Sequence, residues 1–362
     1  MPDIQRTSDY DWWLFGLVLA ICALGVAEIY SATHASHLAG MYQRQLVWIG
    51  TGIAAMFILS RVDYHRIMDQ APVLYILGLI ALVVVLGFGH RRFGAKRWIV
   101  FLGQVIQVSE LVKLVIIIVL ARFLSEVRSE RLSLSDLFKL GALVGVPLGL
   151  ILLQPDLGTA LVLVPMLILG AFLAGIKWQH AAAVALLGLL MLPVGWHVLK
   201  PYQRGRITSF LRPEEDPKGS GYQLLQSRIA VGSGGFRGKG FGNGSQNQLG
   251  FVPVRYSDFI LSAWAEEQGF LGVFAALCLY MAMLLRLVQN AQSAKDRAGM
   301  FLVMGVAAAL GFHVIVNAAM VIGYMPVTGI PLPLMSYGGS ATLFVFLALG
   351  LVMNVRVRRF VN

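Results

Sequence analysis

The chain has 362 residues, of which 57% are hydrophobic and only 13% charged, and its formal net charge is +11. Soluble domains carry about 25% charged residues, so the composition excludes an ordinary soluble protein and predicts a multi-pass membrane protein. So apolar a chain has no soluble domain on which to present a nucleic-acid face, and its basic excess points to membrane topology and anionic lipid-linked ligands.

The first apolar run, residues 12–30, is longer than the core of a signal peptide and reads as a retained first span. Segments able to cross a bilayer, about 20 residues each, recur with centres near residues 21, 53, 80, 115, 146, 167, 190, 275, 312 and 347. The prediction is an all-α polytopic fold of about ten transmembrane helices, forming one integral-membrane domain over residues 1–362. An even number of spans puts both termini on one side. The tail NVRVRRF, with Arg356, Arg358 and Arg359, assigns that side to the cytoplasm. Cys22 and Cys278 both lie in apolar runs, so neither a disulfide framework nor a zinc motif is available.

In that orientation the exterior basic residues gather in two places. One is HRRFGAKRW, residues 90–98, which contains Arg97. The other is a large loop, residues 200–262, between the seventh and eighth spans. The positive-inside rule discounts long loops, so the orientation stands, and the exterior excess suits a phosphate-bearing lipid ligand or anionic phospholipid. His34 and His37, three apart in the first exterior loop, are a weak metal pair on their own.

Glu110 and Lys113, in VSELVKLVIII of the fourth span, are spaced to pair on one helix face. Charged groups in a span cost a few kcal/mol each and face protein or a polar cavity, so a structural ion pair and a substrate-positioning pair both fit. Gln154 and Asp156 lie in LLQPDLGTALV, a tight exterior hairpin where Asp is also an ordinary helix cap. The long loop contains GSGGFRGKGFGNGSQNQLG, with eight glycines in nineteen residues. Its P-loop spacing fails at Ser233 and at Gly240, and G-x-G-x-x-G fails in every register, so neither ATP nor NAD is implied. What remains is a flexible, backbone-exposed loop carrying Arg237 and Lys239. Asp258 follows in RYSDFILSAWAEEQGFLG, at the doorstep of the eighth span, where it can cap a helix, pair with Arg255, hold a cation or act as a base. His313, in the ninth span, reads as a hydrogen-bonded packing residue. GIPLPLMSYGGSA, residues 329–341, forces irregular backbone at membrane depth, tolerated only against protein or a wet cavity. It would present the hydroxyls of Ser336, Tyr337 and Ser340.

These motifs together resemble a known family. QVSELVKL, QPDLGTALV, GYQLLQSRIAVGSGG with GKG after it, SDFILSAWAEEQGFLG and PLPLMSYGGSA stand in the order found in the SEDS family of cell-wall polymerases, the RodA and FtsW group. NQLGFVP and the GSGG–GKG pair are closer to the elongation branch. The resemblance covers nearly the whole chain and implies a ten-helix peptidoglycan glycosyltransferase of the bacterial inner membrane, active on the exterior face. Its substrate would be lipid II, polymerised with inversion and release of undecaprenyl pyrophosphate. Asp258 falls on the family's catalytic aspartate, with Ser257 in place of its threonine. Gln226, in GYQLLQS, joins Arg97, Glu110, Lys113, Gln154, Asp156, Lys239, Ser257, Ser336, Tyr337 and Ser340 as candidate substrate contacts. A divalent cation, Mg or Mn, is a possible cofactor, with Asp258 its possible ligand. The implied partners are a class B penicillin-binding protein, other elongation-machinery proteins and membrane lipid, with no nucleic acid. Glu266 and Glu267 would tie the eighth helix to its neighbours or to the loop.

Two departures stand out. Gln107-Val108-Ser109-Glu110 lacks the family's proline, and Val254 replaces a usual acidic residue. A lipid II flippase explains the polar cavity and basic loops but not their concentration on one face. A non-catalytic scaffold for a transpeptidase has no need of Asp258.

Overall fold

A computed structural model describes residues 10–34, 38–92, 95–101, 104–127 and 131–360. His37, one of the two loop histidines, lies outside them. The helices are α1 (Trp12–Thr33), α2 (Met41–Arg61), α3 (Tyr64–Asp69), α4 (Ala71–Phe88), α5 (Val108–Glu126), α6 (Leu134–Leu153), α7 (Leu157–Leu173), α8 (Trp178–Val198), α9 (Pro201–Leu211), α10 (Ser220–Gly234), α11 (Ser245–Gln248), α12 (Ile260–Gln292), α13 (Arg297–Val321) and α14 (Gly339–Val357). Each predicted span centre falls within one of them. Among the described residues six helices are long and apolar enough to cross a membrane, namely α1, α4, α6, α12, α13 and α14.

Hydropathy alone does not say which helices are central, because both the core and the lipid accept leucine and valine. Burial separates them: 78% of the apolar window of α14 is buried, against 17% for α4. α14 packs on α2, α13 and α5, while α13 also meets α7 and α12. The outer face of α4 exposes Ile76, Leu77, Ile80, Val83 and Val84, an apolar strip suited to lipid. Among its described side chains α8 buries none. Small residues permit the tightest crossings. A Cβ on Gly25 of α1 would lie 2.5 Å from the Met335 backbone, so this glycine is what lets α1 lie against the irregular segment before α14.

Two stretches depart from the sequence expectation. Residues 90–107 form a three-stranded antiparallel sheet, β1 (His90–Arg92), β2 (Ala95–Phe101) and β3 (Gln104–Gln107), in the order β1-β2-β3. β3 ends at Gln107 and α5 starts at Val108, so the chain switches from strand to helix here without a proline. The stretch 200–262 contains α9, α10 and α11 rather than one open loop. Its glycine-rich centre is not backbone-exposed throughout: Gly234 and Gly238 lie directly on the carbonyls of Ala265 and Glu267.

That contact is possible because α12 is broken. Gly269 has φ 66° and ψ −164°, outside the helical region. The Gly-rich strand supplies the missing partners: Lys239 and Gly240 N–H donate to the carbonyls of Glu266 and Glu267, and Phe270 N–H donates to the Gly235 carbonyl. The arm before the break is held by its two glutamates, both fully buried. Glu266 accepts from Lys239 Nζ (2.7 Å), Gln246 N (2.9 Å) and Asn247 N (3.0 Å). Glu267 accepts from Ser31 Oγ (2.6 Å), Asn247 Nδ2 (2.9 Å) and Gly242 N (3.0 Å). The expected tie to neighbours and to the loop is thus seen atom by atom.

Candidate active site

Asp258 sits at the end of an irregular stretch just before α12. Its backbone is pinned from two sides. Asn317 Nδ2 donates to the Asp258 carbonyl and to the Ile330 carbonyl, both at 2.8 Å. Ser336 Oγ donates to the Ser257 carbonyl at 2.7 Å and accepts from Leu332 N at 2.9 Å. Tyr337 N–H adds a bond to the Tyr256 carbonyl at 2.9 Å. The sequence places Asp258 on one segment and Ser336 and Tyr337 on another; these bonds join the two segments into one wall. Backbone strain marks the same wall. Val254 (φ 52°) and Leu334 (φ 66°) are left-handed, a conformation that costs about 1–3 kcal/mol in a non-glycine residue.

The Asp258 side chain is half-buried and only lightly bonded. Ser257 Oγ donates to Oδ1 at 3.0 Å, and Oδ2 accepts no hydrogen bond from the described residues. A Cβ on Gly329 would lie 3.5 Å from Oδ2, so a glycine there keeps the carboxylate unobstructed. Burial pushes the Asp258 carboxyl above the usual aspartate range, while the Ser257 hydroxyl and the charges of Arg206 and Arg97 pull it back. A carboxylate of raised basicity with an open oxygen is what a general base requires.

Asp156 anchors a second wall. It is the N-cap of α7, accepting from Thr159 N at 3.4 Å, so the cap reading is correct. It is also a hub: Gln107 Nε2 (2.6 Å), Thr159 Oγ1 (2.9 Å), Ser109 Oγ (3.0 Å) and Arg97 Nη1 (3.2 Å) all reach its carboxylate. Ser340 Oγ accepts from Gln107 N at 2.9 Å, joining the start of α14 to β3. The two walls meet at Thr328–Gly329. Arg206 Nη1 donates to the Thr328 carbonyl at 3.0 Å, and Gly158 of α7 packs on that same carbonyl.

Beneath the Asp258 wall lies the intramembrane pair. Lys113 Nζ is 2.8 Å from Glu110 Oε2, as the spacing predicted. Lys113 is fully buried, 3.1 Å from His313 Nε2 and over the Phe344 ring. The other His313 nitrogen, Nδ1, lies 3.1 Å from the Pro331 carbonyl. An ammonium can only donate, so Nε2 accepts and Nδ1 carries the proton. Lys113 therefore reaches the Asp258 wall through His313. A small cavity between Glu110, His313, Leu332, Ser336 and Phe344 separates them.

The other candidates lie elsewhere. Gln154 donates to the Leu82 carbonyl at 2.8 Å. Lys239 is held by Glu266 and by Ser245 Oγ at 2.8 Å. Gln226 is half-buried on α10, with no hydrogen bond to a described residue. Sequence reasoning missed Arg206, Tyr202 and Asn317. A faint signal existed for each: Tyr202 with Arg206, and His313 with Asn317, are i,i+4 pairs that share one helix face. Among the described residues no group of three or more His, Cys, Asp and Glu side chains is placed to hold a metal ion. A Mg ion bound through one carboxylate and substrate phosphates needs no such group, and Asp258 would be its ligand.

A protein-family model described as a cell cycle protein, FTSW_RODA_SPOVE, matches residues 11–360. The chain is 36% identical over 345 residues to the Escherichia coli (strain K12) protein named peptidoglycan glycosyltransferase MrdB, covering 95% of this chain and 92% of that one. A solved chain from work on the structural coordination of polymerization and crosslinking by a peptidoglycan synthase complex superposes with a TM-score of 0.85 at 35% identity, covering 98% of this chain and 99% of that one. The crystal structure of the Thermus thermophilus rod shape determining protein RodA matches with a TM-score of 0.74 at 33% identity, covering 98% of each chain.

Proposed function

The chain belongs to the FtsW, RodA and SpoVE family, the SEDS group, and from that membership we propose that it polymerises lipid II into glycan strands with Asp258 as general base. It is a peptidoglycan glycosyltransferase of the RodA-like type and a multi-pass membrane protein. In the proposed reaction the acceptor sugar's 4-hydroxyl attacks the anomeric carbon of the donor. Its proton passes to Asp258 Oδ2 as the new C–O bond forms. The bond from that carbon to the diphosphate breaks, and its electron pair leaves with undecaprenyl diphosphate. A single inverting displacement needs one base and a stabilised leaving group, not the two carboxylates of glycoside hydrolysis.

One observation carries this reading: Asp258 is fixed through its backbone while its carboxylate stays open and beside two arginines. Ser257, Ser336 and Tyr337 then serve to hold the base, and Asp156 organises the arginine wall. Lys113 and Glu110 support the floor. Gln154, Gln226 and Lys239 are assigned to the frame around the site.

We place the site on the exterior of the bacterial inner membrane, with residues 200–262 as its substrate-facing segment and both termini in the cytoplasm. The start of α1 and the end of α14 do meet. Asp11, just before α1, lies 2.8 Å from Arg286 Nε and 3.6 Å from Arg356 Nε near the end of α14. Arg286 is at the far end of α12 from Asp258, so this charge cluster and the site occupy opposite ends of the bundle. The solved relative from a peptidoglycan synthase complex supports a penicillin-binding partner of class B, which would crosslink the strands made here.

The test is polymerisation of purified lipid II by the solubilised protein with that partner, comparing wild type with Asp258→Asn. Removing a general base costs roughly 10²–10⁴-fold, so the variant should yield no resolvable chains at matched folding. Chains of equal length and amount from both proteins would overturn the assignment.

A further inference from the structure

Resting on the polymerase reading, we propose that Arg97 and Arg206, backed by Tyr202 and Thr328, form the seat for the diphosphate of the lipid-linked donor. The two arginines come from distant parts of the chain, β2 and α9, and converge on one corner. Arg97 is held by Asp156, whose neighbour Gly158 packs on the Thr328 carbonyl; Arg206 donates to that carbonyl. The next residue, Gly329, borders the open oxygen of Asp258. Tyr202 lies one turn before Arg206 on the same face of α9.

The corner is rich in uncommitted donors. A guanidinium has five N–H groups, yet each arginine makes one hydrogen bond to the described residues, in both cases through Nη1. Arg97 Nε and Thr328 Oγ1 are buried with no hydrogen-bond partner among the described residues, and buried polar atoms are nearly always paired. Nor can Asp156 neutralise both cations, since it carries one negative charge and of the two arginines bonds only Arg97. Two neighbouring guanidinium groups with unpaired donors fit an anion with several oxygens on adjacent phosphorus atoms. Arginine forks match phosphate oxygens in pairs. A diphosphate there would stand next to the base, and the charge it gains as the sugar–oxygen bond breaks would develop against both cations.

The experiment uses the full-length protein in nanodiscs of zwitterionic phosphatidylcholine, with binding of undecaprenyl diphosphate and undecaprenyl monophosphate followed by native mass spectrometry. Wild type should prefer the diphosphate by about tenfold or more, the scale of one added charge-assisted contact. Arg206→Gln should bring the two ligands to near parity. Arg206→Lys should fall between, since lysine keeps the charge and loses the fork. Arg97→Gln carries the same test if the Arg206 variants do not purify folded. A wild-type preference that survives in both glutamine variants would overturn the seat. Displacement of the diphosphate by equimolar phosphatidylglycerol would also overturn it, reducing the corner to a phospholipid headgroup site. Polymerisation of lipid II, assayed in parallel, separates this proposal from the one it rests on. Chains from wild type alongside an unaltered preference in the variants sink the seat alone. A preference lost in the variants but no chains from wild type upholds the seat and sinks the polymerase.

Discussion

Ser257 and Asp258 are adjacent in sequence, and their hydrogen bond sets how the base responds to pH. Burial raises the Asp258 carboxyl and the Ser257 hydroxyl lowers it. A base works only when ionised, so the polymerisation rate should climb with pH through a value above the ordinary aspartate range of about 3.9. Ser257→Ala removes a donor that favours the ionised form, so the acidic limb should move to higher pH while the plateau holds. A limb that stays put, or moves to lower pH, would disconnect Ser257 from the base. Asn317 acts on the same residue from behind. Asn317→Leu, similar in volume, removes both donated bonds, and a misplacement of about 1 Å can cost 10²-fold. The loss should fall on kcat with KM for lipid II little changed. Asn317→Asp tests positioning more sharply: a protonated acid donates one bond and a carboxylate none, so its residual activity should decline with pH where wild type rises. Asp258, Ser257, Ser336 and Tyr337 were legible as motif residues. Asn317 and Arg206 were not, because each reaches the site by a fold-level approach from a distant helix, and the i,i+4 pairs that contain them do not say what that face meets.

Among elements, the broken helix is the feature least visible in the sequence. Glu266, Glu267 and Gln268 interrupt the apolar run just before Gly269, but the sequence still reads as one span beginning beside Asp258. The break depends on a positive φ and on a second strand lying in the gap. Beyond it, residues 270–292 make about 35 Å of helix at roughly 1.5 Å per residue, enough to cross a hydrocarbon core of about 30 Å alone. The arm before the break is thereby released from spanning duty and can carry Glu266 and Glu267 into contact with the glycine-rich segment. A Cβ on Gly269 would meet Gly238 N at 2.3 Å, and its φ is 66°. Gly269→Ala should therefore lower thermal stability markedly, by an amount of order 1–3 kcal/mol from backbone strain before the clash is counted. Gly145→Ala on α6 is a fitting comparison, as a Cβ there meets nothing within 4 Å. Equal melting temperatures for Gly269→Ala and wild type in scanning fluorimetry would mean that the break is not fixed by this glycine. The long apolar helices were legible because their hydrophobic runs exceed what a short soluble helix needs. The strands of 90–107 and helices α9 to α11 were not, because their polar sequences are stabilised by partners elsewhere: Gln107 by Asp156, Asn247 by Glu266 and Glu267.

At the scale of the molecule, two charge systems divide the bundle. One end holds Asp258, Asp156, Arg97 and Arg206 around an open site. The other knots helix ends together: Asp11 with Arg286 and Arg356, and Asp296 with His65 at 2.7 Å and Tyr64 at 2.9 Å. Between them the outward surface is largely apolar, and α8, with no described side chain buried, presents a face suited to lipid. A polymerase of a lipid-linked sugar has chemistry at one face only, and this asymmetry is what separates it from a transporter, which needs access from both. The arrangement predicts a definite pattern of labelling. Native Cys22 is buried and Cys278 is exposed on α12, so Cys278→Ser gives a quiet background. In that background Arg237→Cys, on the exposed tip of the glycine-rich segment, should react in intact cells with a membrane-impermeant maleimide. Lys295→Cys, in the turn between α12 and α13 at the opposite end, should react only after the membrane is permeabilised. The reverse pattern would turn the protein over and place Asp258 on the cytoplasmic face. Reaction at both positions in intact cells, with the membrane verified as sealed, would mean that the two ends share one aqueous path, which is the behaviour of a transporter.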